Sequence, residues 1–311
     1  MKSSYTYKKI NNLEIKLDVH IPPSATAENP APVIVWYHGG GLLQVSAEIL
    51  QNYLAMLIQS PRAAVNVIQT ISMSQSRNEV SHLFLLAPQA DFEEILSDVS
   101  DSVSYTIEEL PGQTGHRIDV KRWFVSGSSA GGWLSLLVGL GVANPKHIPL
   151  ACTAIYPITN TLAPFWNTLH EKAEWEDGPV AHETVKEHLN VDAPVVSSNP
   201  SNSTRSKMYA WMVQSASLNE LLYGTKKDRA GNYAIINVLK EKKDATPPIY
   251  IIHGTVDTAV PFSQAVEVVD ALKARNAEVQ FDVAHDKDHL WDEYDKNERM
   301  DGLYAFIRKY L

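Results

Sequence analysis

The feature that most constrains this chain is the run Gly127-Ser128-Ser129-Ala130-Gly131-Gly132, which follows the apolar run Trp123-Phe124-Val125. An apolar strand that meets this run and continues into an apolar helix must bend within very few residues. Glycines two places either side of Ser129 remove the Cβ atoms that would collide in so tight a turn. The helix that follows is apolar nearly all round (Trp133, Leu134, Leu136, Leu137, Val138, Leu140), which predicts burial against a sheet. A second glycine run, His38-Gly39-Gly40-Gly41, ends the apolar run Val33-Ile34-Val35-Trp36-Tyr37. Two strands therefore end where bare backbone must lie close against something. G-x-S-x-G alone is a weak signal; its pairing with an upstream H-G-G-G is a strong one.

These motifs resemble those of the α/β-hydrolases, and more narrowly of the hormone-sensitive-lipase-like carboxylesterases that carry H-G-G-G. That fold orders its triad as serine, acid, histidine. Residues 249–261 read as a buried strand, a loop with Asp257, and Pro261 opening a helix; the pattern H-G-x-x-D-x-x-V-P matches the family's presentation of its acid. Residues 278–284 alternate like a last strand and lead into His285-Asp286-Lys287-Asp288-His289-Leu290-Trp291. The family histidine stands in that loop just before an apolar residue, so His289 matches better than His285.

The resemblance implies acyl transfer. Ser129 would attack an acyl carbonyl, His289 would take and return the proton, and Asp257 would orient the imidazole. The N–H groups of Gly40, Gly41 and Ala130 would form the oxyanion hole, and which of the three glycines after His38 point inward stays open. The implied partner is a small-molecule acyl ester, with no cofactor and no metal. An acyl-amide hydrolase (similar to kynurenine formamidases or to peptidase domains) and a non-catalytic ligand-binding member of the fold remain alternatives. His38 and His253 are expected to order their loops, and the acidic cluster from Asp286 to Asp295 to be solvated. Ser128 is expected to be structural.

A chain of 311 residues with 44% hydrophobic content suits one open α/β sheet with an insertion. Its 27 basic and 36 acidic residues leave a net charge of −9, and no basic stripe appears, which argues against nucleic acid. Cys152 is the single cysteine and lies in an apolar run, so an internal disulfide is excluded and a core position is expected. No apolar run approaches the ~20 residues that span a bilayer, and the first residues lack the apolar core of a signal peptide. The expectation is a cytoplasmic protein without stable membrane insertion; the oligomeric state is not encoded legibly.

Strand-like runs at 13–21, 33–37, 150–156 and 249–252 alternate with helical spacing at 47–59, 91–110, 262–274 and 299–310, which predicts an α/β fold with a mostly parallel central sheet flanked by helices. Residues 60–82 fit poorly. They read either as a strand within 63–71 with a Ser/Gln/Asn-rich loop appended, or as an aberrant insertion that would leave the sheet marginal. Residues 157–237 are too long for a simple connection. With their aromatic residues (Phe165, Trp166, Trp175, Tyr209, Trp211, Tyr223) they read as a helical cap, and residues 1–156 and 238–311 as the hydrolase core.

Overall fold

A computed structural model of the chain describes residues 2–45, 66–69, 84–200, 202–294 and 300–310. Among them, strands β1 (Lys2–Ile10), β2 (Leu13–His20), β3 (Ala31–Tyr37), β4 (Asn66–Gln69), β5 (Ile118–Ser128), β6 (Ala151–Ile155), β7 (Ile249–Gly254) and β8 (Val279–Ala284) form one sheet. Its order is β1-β2-β4-β3-β5-β6-β7-β8. The β1–β2 and β2–β4 pairs are antiparallel, and every pair from β4 to β8 is parallel. β3 and β7 are buried along their whole length, because both faces of a parallel sheet are covered.

Alternation along β3 assigns side chains to two cores. Val33, Val35 and Tyr37 face the larger one, while Ile34 and Trp36 join Phe124, Tyr250, Leu303 and Phe306 on the opposite face. Helix α1 (Phe92–Glu108) starts at a capping box: Asp91 accepts from the Glu94 N–H at 3.0 Å and Glu94 accepts from the Asp91 N–H at 2.9 Å. Its buried stripe is Phe92, Ile95, Val99 and Val103. Helix α2 (Ala130–Gly139) is buried on all sides, as its uniform apolarity predicts. Between β6 and β7 lie several short helices, including α3 (Met208–Ser215) and α4 (Leu218–Tyr223). The expected boundary at residue 237 falls inside a helix, Ile235–Glu241. Helices α5 (Ser263–Ala274) and α6 (Asp301–Tyr310) complete the flanks.

The strand expected within 63–71 is β4, paired with both β2 and β3. The helix expected at 47–59 and the polar stretch at 72–78 lie outside the described residues. β1 is an element that sequence patterning misses, because its faces are half exposed and rich in lysine. Tyr5-Thr6-Tyr7 ahead of Asn11-Asn12 is the trace it leaves: strand-favouring residues followed by a turn, with Asn11 at φ 53°. Lys8 anchors this strand by bonding Asp98 of α1 at 2.7 Å and Asp101 at 2.6 Å. Among the described residues, no helix is long and apolar enough to cross a membrane.

Candidate active site

Four segments leave the C-terminal ends of parallel strands: the glycine loop after β3, Ser129 after β5, the Asp257 loop after β7 and the His289 loop after β8. In open α/β sheets this edge is where ligands bind.

Ser129 has φ 55° and ψ −121°, a conformation that L-residues avoid. Such strain costs on the order of 1–3 kcal/mol and persists only when neighbours over-determine it. Here the Ser129 N–H donates to Ile155 O at 2.9 Å, and its carbonyl accepts from Trp133 N and Ile158 N, both at 3.2 Å. The turn also needs its glycines. A Cβ on Gly131 would stand 2.1 Å from Tyr37 O, so only bare backbone lets α2 press against the end of β3. That contact brings the Ser129 turn beside the His38 loop.

The loop after β3 turns through three consecutive left-handed residues, Gly40 (φ 100°), Gly41 (φ 68°) and Leu42 (φ 63°). The Gly40 carbonyl accepts from Leu43 N and Gln44 N, and Leu42 O accepts from Ala87 N at 2.9 Å. The N–H groups of Gly40, Gly41 and Ala130 have no hydrogen-bond partner among the described residues. His38 stacks on Phe84 with ring centroids 4.5 Å apart, and its Nδ1 lies 2.6 Å from Gly39 O, a loop-ordering arrangement.

The Asp257 side chain is fully buried and both its oxygens are engaged. Oδ1 accepts from Ala259 N at 2.9 Å and Val260 N at 2.7 Å. Oδ2 lies 2.7 Å from His289 Nδ1 and 3.1 Å from His253 Nε2. Burial pushes this carboxyl up, but the charge of His289 and the hydrogen bonds from both imidazoles outweigh it, holding the group well below the usual carboxylate range. Sequence reading gives His253 only a loop-ordering part; the structure places it against the acid itself, with Nε2 also 2.9 Å from Val260 O.

His289 Nδ1 is taken by Asp257, which leaves Nε2 as the second ring nitrogen. Its ring lies 4.5 Å from that of Tyr156, whose hydroxyl donates to Asp292 at 2.8 Å. Asp288 fastens the histidine loop to the acid loop, accepting from Thr258 N at 2.8 Å, Thr258 Oγ1 at 2.9 Å and His289 N at 2.7 Å. His285 instead is exposed and borders a separate depression with Tyr250 and Asp282.

Ser129, His289, Gly40 and Gly41 all line one cavity of about 380 Å³, walled further by Trp175, Tyr209 and Trp291. Ala130 follows Ser129 directly but is not among its lining residues, and no hydrogen bond joins Ser129 to His289 in this structure. Of the aromatic residues singled out in the insertion, Trp175 and Tyr209 reach the cavity. The Asp288 clamp leaves no sequence signal beyond one more acid in a polar loop. Among the described residues no group of three or more His, Cys, Asp or Glu is placed to hold a metal ion.

Residues 17–272 match a family model described as BD-FAE. The structure superposes on an alpha/beta hydrolase superfamily protein from Enterococcus faecalis with TM-score 0.68 and 17% identity, covering 100% of this chain and 98% of the other. It also superposes on esterase B of Lactobacillus rhamnosis, in complex with a tributyrin phosphonate inhibitor, with TM-score 0.67, 14% identity, and coverage of 100% and 84%. In sequence it is 23% identical to a non-reducing polyketide synthase of Stereocaulon alpinum over 97% of its own length. The chain spans about 13% of the length of the curated polyketide synthases it matches first.

Proposed function

The chain belongs to the BD-FAE family and has the α/β-hydrolase fold, and from that premise we propose that it hydrolyses carboxylic esters through an acyl-enzyme on Ser129. One observation carries the reading. An imidazole paired to a buried carboxylate at 2.7 Å shares a cavity with a strained serine and with glycine amides that bond nothing else among the described residues.

In this mechanism His289 Nε2 removes the Ser129 hydroxyl proton as Oγ attacks the acyl carbon. Asp257 holds the Nδ1–H tautomer and stabilises the imidazolium. The tetrahedral oxyanion takes hydrogen bonds from amides of Gly40, Gly41 and Ala130, each such donor commonly worth ~10²–10³ in rate. The imidazolium then protonates the departing alkoxide. Water, deprotonated by the same imidazole, attacks the acyl-enzyme; the acyl–Oγ bond breaks, the imidazolium returns its proton to Ser129 Oγ, and the acid departs. Because Ser129 must reach His289, a rotation of its side chain or a small movement of the histidine loop precedes attack.

The volume of the cavity suits a small or medium acyl ester. Residues 157–237 act as a cap, supported by Trp175 and Tyr209 forming its wall over the strand ends. The neighbouring esterase B is inhibited by a tributyrin phosphonate, which makes a short-chain phosphonate a fitting probe here. The test is covalent labelling by a fluorophosphonate together with turnover of nitrophenyl esters, N-formylkynurenine and an aminoacyl amide. Labelling and ester turnover that vanish in Ser129→Ala are expected. Ester-inert protein that labels no faster than Ser129→Ala would sink the reading, and turnover of the amides alone would replace ester by amide as the substrate.

A further inference from the structure

Among the described residues, the glycine loop after β3 has three left-handed residues in succession, two turn hydrogen bonds to Gly40 O, and the contacts of His38 with Gly39 O and Phe84. Residues 157–237 add further restraints. Arg205, buried, donates from Nε to Leu43 O at 2.8 Å and from Nη2 to Ala87 O at 2.6 Å, and the Ala87 N–H in turn holds Leu42 O. Asn199 Oδ1 accepts from Val45 N at 2.7 Å. Tyr209 goes furthest. Its N–H donates to Gln44 Oε1 at 3.1 Å, and its ring lies so close beneath Gly41 that a Cβ there would meet Cδ2 at 2.3 Å.

The far end of the same side chain reaches the acid loop. Tyr209 Oη donates to Ala259 O at 2.9 Å, and the N–H of Ala259 is one of the two amides that hold Asp257 Oδ1. One rigid ring thus spans the loop of Gly41 and the loop of Asp257. Trp175 stacks on it with ring centroids 5.8 Å apart and Trp166 meets it edge-on at 6.4 Å, so the ring is flanked on two sides. Burial first, and then the Asp257 charge, push the phenol well above its ordinary value, so it remains a donor across the neutral range.

We infer that Tyr209 is a positioning residue for the oxyanion hole, acting as a strut that sets the Gly40 and Gly41 amides relative to the loop carrying Asp257. This rests on the reading of those amides as the hole. It differs from a plain cavity-wall role in what it controls. A wall residue changes how well the ground state binds, whereas a strut under an oxyanion loop changes stabilisation that exists only once the carbonyl oxygen carries charge.

The test uses the full chain with Tyr209→Phe, Tyr209→Leu and Ser129→Ala. Rates are expressed per site titrated with a fluorophosphonate, so that misfolded protein does not count. Tyr209→Phe keeps the ring and loses only the hydroxyl; kcat on a nitrophenyl ester should fall about threefold to tenfold, the effect of one neutral hydrogen bond, with KM within about twofold. Tyr209→Leu removes the flat support under Gly41, and kcat should fall by ~10²-fold, with a matching loss in phosphonylation rate because the phosphoryl oxygen occupies the same hole. Wild-type kcat in the Phe variant, or a loss confined to KM in either variant, overturns the inference while leaving the ester-hydrolase reading intact. If wild-type protein shows no Ser129-dependent labelling, both fall together.

Discussion

Asp257 shows how much chemistry one buried side chain can concentrate. Two backbone amides saturate one oxygen and two imidazoles flank the other, so the carboxylate is fixed in direction as well as in charge. Its folded-state carboxyl lies well below the usual range, while in the unfolded chain it returns to about 3.9. A depressed carboxyl stabilises the fold fully above the unfolded value, and that contribution is lost as pH falls through the lower folded value. Asp257→Asn should therefore flatten the fall in unfolding free energy below about pH 4, measured by urea titration across pH, relative to wild type. An unchanged acid slope would show that the carboxyl does not ionise differently on folding. Ser129 is the opposite kind of residue: among the described residues it bonds no side chain, and it carries backbone strain, which the bonds from its main chain to Ile155, Trp133 and Ile158 sustain.

At the level of elements, the site is an alignment of strand exits, and clamps between loops keep them aligned. The Asp288 carboxylate joins the loop after β7 to the loop after β8 through Thr258 and the His289 amide. Asp288→Ala should lower kcat about tenfold, since small displacements of a reacting group are costly, while the melting temperature stays within a degree or two because the residue is exposed. A large fall in melting temperature with full activity per folded molecule would contradict it. The strand exits are legible in the sequence because each is a local signal: a glycine-flanked serine after an apolar run, an aspartate between a buried strand and Pro261, a histidine ahead of Leu290. The clamps are illegible. Tyr209 under Gly41, Asp288 on Thr258 and His253 beside Asp257 depend on which distant segments the fold makes neighbours, and spacing along the chain carries no record of that. β4 is intermediate: its apolar character is visible within 63–71, yet its place between β2 and β3, which Asn66–Gln69 show by pairing with both, is not.

The whole molecule is tied together by a few polar links across otherwise apolar layers. Lys8 is one of them, carrying β1 onto α1 through Asp98, whose carboxylate also accepts from Leu85 N at 2.9 Å. Burial raises the Asp98 carboxyl even with this ammonium beside it, so removing the lysine leaves a buried acid poorly matched. Lys8→Met should reduce unfolding free energy by about 1–3 kcal/mol, less than for a fully enclosed pair because water reaches part of the ammonium. Urea unfolding monitored by tryptophan fluorescence would read this as a lower midpoint at unchanged slope. An unchanged midpoint would mean that the hairpin is held by packing alone. The insertion is fastened in the same spirit, at Asn199, Arg205 and Tyr209, all beside the exit of β3. A segment seated at those three points cannot lift away without disturbing the glycine loop beneath it, the loop to which the proposed mechanism gives the oxyanion. Among the described residues, Trp175 and Tyr294 give the cavity a solvent-exposed rim, and in the proposed reaction that rim is the side on which an ester would enter with the segment still seated.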